Sequence, residues 1–384
     1  MKGTDVEPKK PKLLLLLTVP DSLIFFKNQL KSLSATFDIT VSCPQGDGVS
    51  TFIEREGVNY IPLSINRRLS PFKDLLTVYS ICKLIQLVRP DVLHVNTPKA
   101  SLLGLIAGFL MRVKVRLYVC HGFAHHPKQS LLAQYFLKSL ERFRCWLSTH
   151  VVAVSSCLQD ELSKLCGSKK IDLIHNGSIN GIELVESDHD LTCAPTYDPS
   201  INPSEPFRLL FVGRVTKDKG IDELLSSFRE LEMEGCNVHL QIAGKVEDVE
   251  YIDEINQMVS QYPTRFEYLG FIDNPLATMS KNHLLVFPSY REGFGMVVIE
   301  AASVNLPALA FRNLGTTSII ELGVNGFLTS EHSAKELTMN IRNFMQNPSE
   351  LNQVKRKLTI LASRYEQRQV ITETTKYLTQ ALRD

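Results

Sequence analysis

Two glutamates with seven residues between them, Glu292 and Glu300, flank a glycine-bearing turn in the segment FPSYREGFGMVVIEAASVNLPALA. The run LLVFPS before the turn reads as a buried strand ending at Pro288. The run MVVIEAASV after it reads as a helix, opened where glycine frees the backbone. A strand, a glycine turn and a helix N-terminus leave unpaired backbone N–H groups that can hold an anion. A carboxylate at the lip of such a site does not bind the same anion, so Glu292 needs a different task. Glu300 falls about one turn into the helix, which points it toward the same side as the turn.

Two more segments repeat the strand–glycine–helix arrangement. FVGRVTKDKG places Gly213 after a strand, with Arg214 and Lys219 in the turn ahead of a helix from Ile221. A planar guanidinium fork and a point-charge ammonium together suit a diphosphate, although a surface ion pair of Arg214 with Asp218 or Asp222 would use the same residue types. FRNLGTTSIIELG sets Gly315 before Thr316, Thr317 and Ser318 at a helix start, which fits N-capping or an anion held by N–H and hydroxyl groups. Three such turns in one predicted domain point to a diphosphate held between helix N-termini. The chain has no G-x-x-x-x-G-K-[ST] and no G-x-G-x-x-G, so P-loop and dinucleotide fingerprints are missing. Outside the proline-rich segment 184–206, where Asp188-His189-Asp190 stands, it has no Asp-x-Asp pair, so the phosphate charge falls to Arg214, Lys219 and backbone dipoles, and no metal or other cofactor is expected.

With these motifs in view, FVGRVTKDKG, the G-x-x-D at Gly270–Asp273, FPSYREGFGMVVIEA and LGTTSIIELGVNGFL together resemble the family 4 retaining glycosyltransferases of GT-B fold. In the first half, HVNTPKASLLGLIAGFLMRVKVRLYVCHGF and LIHNGSINGIE resemble the branch that builds bacterial cell-surface polysaccharides and glycans. The resemblance implies two Rossmann-like doubly wound domains facing across a cleft, a UDP-sugar donor and a lipid-linked (polyprenyl-diphosphate) saccharide acceptor. It places Glu292 beside the donor sugar, Glu300 on the nucleotide ribose, and Arg214 and Lys219 on the diphosphate. Gly213, Gly293, Phe294, Gly295, Met296, Val297 and Thr316 complete the donor side. His121, in CHGF, matches the family histidine that contacts the transferred sugar. The implied path is front-face substitution with retention, the leaving diphosphate helping to deprotonate the acceptor hydroxyl. A nucleotide-sugar 2-epimerase and a catalytically silent binding protein of the same fold are the alternatives. The chain departs from the family pattern after the first strand, where TVPDSLIFFKNQL lacks a glycine-rich loop, leaving Phe25, Phe26 and Lys27 as acceptor-lining residues. It departs again at Gly315-Thr316, where relatives carry Gly-Gly, and at Glu183, where they often carry Asp.

The elements that must position these residues are legible as alternation. Continuous apolar runs such as Leu13–Val19, Val92–Val95, Arg116–Cys120, Arg208–Val212, Val238–Ala243 and Leu284–Phe287 read as strands covered on both faces. Helical patterns, for instance Pro71–Val88 and Ser130–Leu147, lie between them. The whole is α/β and doubly wound. Residues 184–206, with Pro195, Pro199, Pro203 and Pro206, read as a linker. They separate an acceptor-binding domain (1–183, joined by a C-terminal helix at about 366–384) from a donor-binding domain (207–365).

Composition bounds the setting. Net charge is +1, but residues 1–150 carry 20 Lys+Arg against 10 Asp+Glu, so the first half is basic. Lys9, Lys10 and Lys12, then Arg67, Arg68 and Lys73, then Arg112, Lys114 and Arg116 beside the apolar stretch Leu102–Met111 suit an anionic membrane surface, although a buried helix of the α/β domain followed by an exposed turn would give Leu102–Met111 the same composition. No aromatic and basic interleaving suggests nucleic acid. Eight cysteines without a C-x-x-C pair fit a reducing cytoplasm, and no stretch is long enough to span a membrane. The expected setting is cytoplasmic, peripheral on the inner leaflet.

Overall fold

Leu13–Leu17 are fully buried without alternation, as a strand packed on both faces must be. In the computed structural model, which describes residues 9–66, 70–123, 130–167, 169–184 and 193–384, this run supplies an interior strand of a seven-stranded parallel sheet. The chain divides into two units, one of Met1–Asn180 with Arg368–Asp384 and one of Gly181–Gln367.

The first unit contains β1 (Lys12–Leu16), β2 (Asp38–Ser42), β3 (Asn59–Tyr60), β4 (Val92–Val95), β5 (Val115–Cys120), β6 (His150–Ala153) and β7 (Asp172–Leu173). Their order is β3-β2-β1-β4-β5-β6-β7. The order reverses between β1 and β4, the switch point at which doubly wound sheets bind ligands. Strand β1 stops earlier than its apolar run because the Thr18 N–H turns to the Thr97 Oγ1 at 2.9 Å and Pro20 opens a short 3₁₀ turn. Right-handed crossovers put the helices Pro71–Val88, Pro98–Leu110 and Leu131–Leu147 on one side of the sheet, with Pro98–Leu110 packed between the other two.

The apolar stretch Leu102–Met111 is therefore not the membrane-facing element that its composition suggested. Leu103, Leu105, Ala107 and Gly108 are buried, and a Cβ on Gly108 would meet the Leu93 side chain at 2.6 Å. Only Phe109 and Leu110, at its end, are exposed. Arg67 and Arg68 lie outside the described residues. The C-terminal helix Gln367–Ala381 joins the first unit, with Val370, Ile371 and Leu378 buried and the Tyr377 hydroxyl donating to Asp172 Oδ2 on β7 at 2.7 Å.

The second unit contains β8 (Phe207–Val212), β9 (Val238–Ala243), β10 (Phe266–Gly270), β11 (Leu284–Phe287), β12 (Ala308–Phe311) and β13 (Phe327–Thr329), ordered β10-β9-β8-β11-β12-β13, all parallel. Strand β13 is a three-residue edge too short to signal itself in the sequence. Of the proline-rich segment, residues 185–192 lie outside the described residues. The rest is strapped to the second unit: the Ala194 N–H donates to the Val304 carbonyl at 2.7 Å, and Tyr197 packs edge-on against Phe207. Among the described residues, no helix is long and apolar enough to cross a membrane.

Candidate functional site

In the second sheet the order reverses between β8 and β11, which pair directly through Leu284 with Leu209 and Leu285 with Leu210. The turns after these two strands must therefore meet at the sheet's C-terminal edge. The turn after β8 carries Gly213, Arg214 and Lys219; the turn after β11 carries Arg291, Glu292, Gly293, Phe294 and Gly295. They are stitched together by the Tyr290 N–H donating to the Asp218 carbonyl at 3.0 Å.

The main charged contact is Lys219 Nζ to Glu292 Oε1 at 2.5 Å, both side chains mostly shielded from solvent. Arg214 Nη1 lies 2.8 Å from Glu247 Oε2 and its Nη2 3.9 Å from Asp218 Oδ2. The ion-pair alternative for Arg214 thus holds in this state for Asp218 but not for Asp222, which accepts from the Tyr251 hydroxyl. Burial alone would lower the Arg214 guanidinium, yet Glu247, Asp218 and Glu292 raise it above its ordinary value. Burial would likewise raise Asp218, but the Thr216 hydroxyl, Lys219, Arg214 and Arg291 hold its carboxyl below the usual range. The result is an alternating cluster in which three cations, Arg214, Lys219 and Arg291, are positioned by carboxylates.

Gly295 is the N-cap of the helix Met296–Ser303 and sits at φ 100°, where a side chain would be strained. That conformation turns the chain sharply enough to leave the N–H groups of Gly295 and Val297 without an acceptor among the described residues. Phe294 is buried edge-on against Tyr365, so only its backbone is available at the site. Glu300 makes no side-chain hydrogen bond or ion pair among the described residues. Burial pushes its carboxyl up to about 7. A shielded carboxyl without a protein partner is ready to accept from a ligand's hydroxyl groups.

Thr316 corrects an expectation. It is fully buried, and its hydroxyl donates to the Phe311 carbonyl at 2.7 Å while its N–H donates to Asn313 Oδ1 at 3.1 Å. Thr316 and Asn313 form a reciprocal cap on the helix Leu314–Ile319, and no group of Thr316 is left to bind an anion. Gly315 has a packing role: its N–H donates to the Glu292 carbonyl at 3.1 Å, and a Cβ there would lie 2.5 Å from the Phe294 carbonyl oxygen and 2.8 Å from Glu292 Cβ. Sequence reasoning missed Arg291 and Glu247 as organisers of the cluster and had Asp218 only as an ion-pair partner of Arg214. The alternation R-x-x-x-D-K and R-E was the available signal, but pairing across strands cannot be read from either segment alone.

In the first unit, His121 follows β5, and its Nε2 lies 3.2 Å from Asn96 Oδ1 beyond the neighbouring β4. Phe25 stacks over its ring at 6.3 Å. Burial pulls the imidazole down to about 4, so it is neutral near pH 7. Phe26, expected to line a site, is instead buried edge-on against His94. Among the described residues, the buried Asn96 Nδ2 and His94 Nε2 have no hydrogen-bond partner.

Comparison with known proteins follows the same division. Residues 26–178 match the family model described as glycosyltransferase family 4, and residues 196–359 match glycosyl transferases group 1. Over 89% of each chain the sequence is 27% identical to the capsular polysaccharide biosynthesis glycosyltransferase CapM of Staphylococcus aureus. Over 76% of each chain it is 22% identical to the UDP-Gal:alpha-D-GlcNAc-diphosphoundecaprenol alpha-1,3-galactosyltransferase of Escherichia coli. In fold it resembles the crystal structure of Anabaena Alr3699/HepE in complex with UDP-glucose, with a TM-score of 0.75 at 20% identity over 96% of this chain and 99% of that one.

Proposed function

The chain belongs to glycosyltransferase family 4 and has the paired Rossmann-like sheets of the GT-B fold, and on that premise we propose that it moves a hexose or N-acetylhexosamine-type sugar from a UDP-sugar to a lipid-linked saccharide in surface polysaccharide or glycan synthesis. The observation that carries this reading is the meeting of Lys219, Arg214 and Glu292 beside the N-terminus of the helix Met296–Ser303. Two cations and that helix N-terminus suit a diphosphate, and the carboxylate next to them suits positive charge developing at the sugar.

In this mechanism the bond from the anomeric carbon to the diphosphate oxygen breaks, and the acceptor oxygen bonds to the same face. The acceptor's proton passes to the departing diphosphate, so no protein base is needed. Arg214 and Lys219 take up the negative charge that builds on the leaving group. Glu292 stabilises the oxocarbenium-like centre through space rather than as a nucleophile. Glu300 accepts from the ribose hydroxyls, and neutral His121 exchanges hydrogen bonds with a hydroxyl of the transferred sugar. Relatives named for capsule synthesis and for a diphosphoundecaprenol-linked acceptor support the acceptor class, and a place at the cytoplasmic leaflet is part of the same proposal.

The test is a panel of UDP-sugars with a polyprenyl-diphosphate saccharide, read by UDP release and by the anomeric configuration of the product. Acceptor-dependent release, an α-linked product and activity that survives EDTA are expected. Conversion of the donor to its 2-epimer without an acceptor would replace transfer with epimerisation. Inversion at the anomeric carbon would overturn the mechanism.

A further inference from the structure

The first unit exposes apolar side chains at helical spacing where solvent should meet polar ones. On the helix Pro71–Val88, Phe72, Leu75, Leu76 and Tyr79 follow the i, i+3, i+4, i+7 rule and are 59–87% exposed. On the helix Leu131–Leu147, Leu132, Phe136, Phe143 and Trp146 form a second stripe, with Leu132 82% and Trp146 64% exposed. The end of the helix between them joins in, because Phe109 lies 5.4 Å from Trp146 and Phe143 stacks on Trp146 at 5.9 Å. Exposed apolar residues are ordinary singly; stripes on helices of one layer mark a face that meets something less polar than water.

Charge selects the partner. The two helices carry one aspartate and one glutamate, and neither is free. Asp74 is held by Lys99 at 2.7 Å, and Glu141 is buried between Arg144 at 2.7 Å and the Tyr118 hydroxyl. Lys73, Lys83, Lys138 and Arg142 lie on the same helices, with Lys83 Nζ over the Tyr79 ring at 4.6 Å. Apolar and aromatic side chains bordered by cations, with every carboxylate neutralised, complement an anionic lipid headgroup layer over acyl chains. Long basic side chains there can reach the phosphates while their stems stay with the apolar groups.

We infer that the outer face of the helices Pro71–Val88 and Leu131–Leu147 docks on an anionic bilayer surface, Trp146 and Tyr79 entering the interfacial layer. The inference deepens the lipid-linked acceptor reading and rests on it for its purpose, since the face would bring the first unit to the leaflet that carries such an acceptor. It also replaces the stretch Leu102–Met111, whose apolar content before Phe109 is largely core, with two helices that carry exposed apolar stripes.

Trp146 is the one tryptophan of the chain, so intrinsic fluorescence reports on this face directly. The full chain is mixed with phosphatidylcholine vesicles, with and without phosphatidylglycerol, at low ionic strength and at ~0.5 M salt, where screening shortens to a few ångströms. With phosphatidylglycerol at low salt, Trp146 emission shifts to the blue and the protein co-sediments; high salt or phosphatidylcholine alone reduces both. Leu132→Glu with Tyr135→Glu, or Phe72→Glu with Leu76→Glu, lowers the bound fraction about tenfold, as loss of an inserted apolar face requires. These sites are exposed, and an unchanged melting temperature and unchanged UDP binding confirm that each variant is folded. Lys83→Glu with Lys138→Glu weakens binding to the anionic vesicles only. No vesicle binding by the unaltered chain, equal binding by every variant, or a dimer that shields Trp146 without lipid would overturn the inference. Absence of UDP binding in the unaltered chain would count against the donor reading and leave this surface standing.

Discussion

Glu292 is paired with Lys219, so a diphosphate bound to that lysine would exchange one anionic partner for another. Glu292→Gln removes the competing charge and leaves Lys219 free for phosphate. We therefore expect UDP affinity to stay the same or tighten slightly while kcat falls on the order of 10²–10³-fold, the scale of losing one preorganised electrostatic group. Calorimetry and steady-state rates separate the two effects, and normal turnover would exclude Glu292 from the chemistry. Glu300 gives a second prediction at this scale. Its folded-state carboxyl, near 7, lies above the ordinary value of 4.5 because burial disfavours the charge. The ionised form therefore costs stability, a cost that grows as pH rises above the ordinary value and is complete above about 7. Glu300→Gln should raise the melting temperature at pH 8 and change it little at pH 4. The same variant should weaken UDP about 10–100-fold, the worth of hydrogen bonds to a charged acceptor. Lower stability at pH 8 would show that Glu300 has a structural partner.

At the scale of elements, the donor-side turns were readable where their geometry is local. Gly295 after a strand and before MVVIEAASV signals its own turn, and the helix Pro71–Val88 falls on the residues expected from its periodicity. What could not be read depends on which strands are neighbours. The Asp218 contacts to Tyr290 and Arg291 exist because β8 pairs with β11, strands separated by two others in sequence. The role of Thr316 was misread because a cap and an anion site use the same residue types at a helix start. The exposed stripes were also hidden, since an amphipathic helix has the same period whether its apolar face points inward or outward. Gly315→Ala tests the packing reading. The added Cβ would press on the Phe294 carbonyl and Glu292 Cβ, shifting the Glu292 turn at a cost of about 1–3 kcal/mol. A fall in kcat greater than any rise in KM is expected from rate measurements, with UDP still bound; an unchanged rate would show that the turn accommodates the methyl group.

At the scale of the whole molecule, each unit has its own buried sheet, and only the first depends on a distant piece of chain. Leu378 is fully buried in the first unit, so Leu378→Ala should destabilise that unit by roughly 2–5 kcal/mol. The second unit holds the residues assigned to UDP, and at about 100 times its Kd the nucleotide should stabilise that unit by ~2.7 kcal/mol in the altered and unaltered chains alike. Scanning calorimetry with and without UDP checks both outcomes, and loss of the UDP effect in the Leu378 variant would show the two cores to be one thermodynamic unit. The discontinuity also sets an order of assembly during synthesis. Gly181–Gln367 is one unbroken stretch and can finish its sheet as soon as it leaves the ribosome. The first unit, although made earlier, lacks the residues from Arg368 onward and must keep the face under Val370 and Leu378 uncovered meanwhile. At ~5–20 residues per second that wait lasts on the order of 10–40 s. During those seconds the nascent first unit is a natural client for a chaperone that binds uncovered apolar surface.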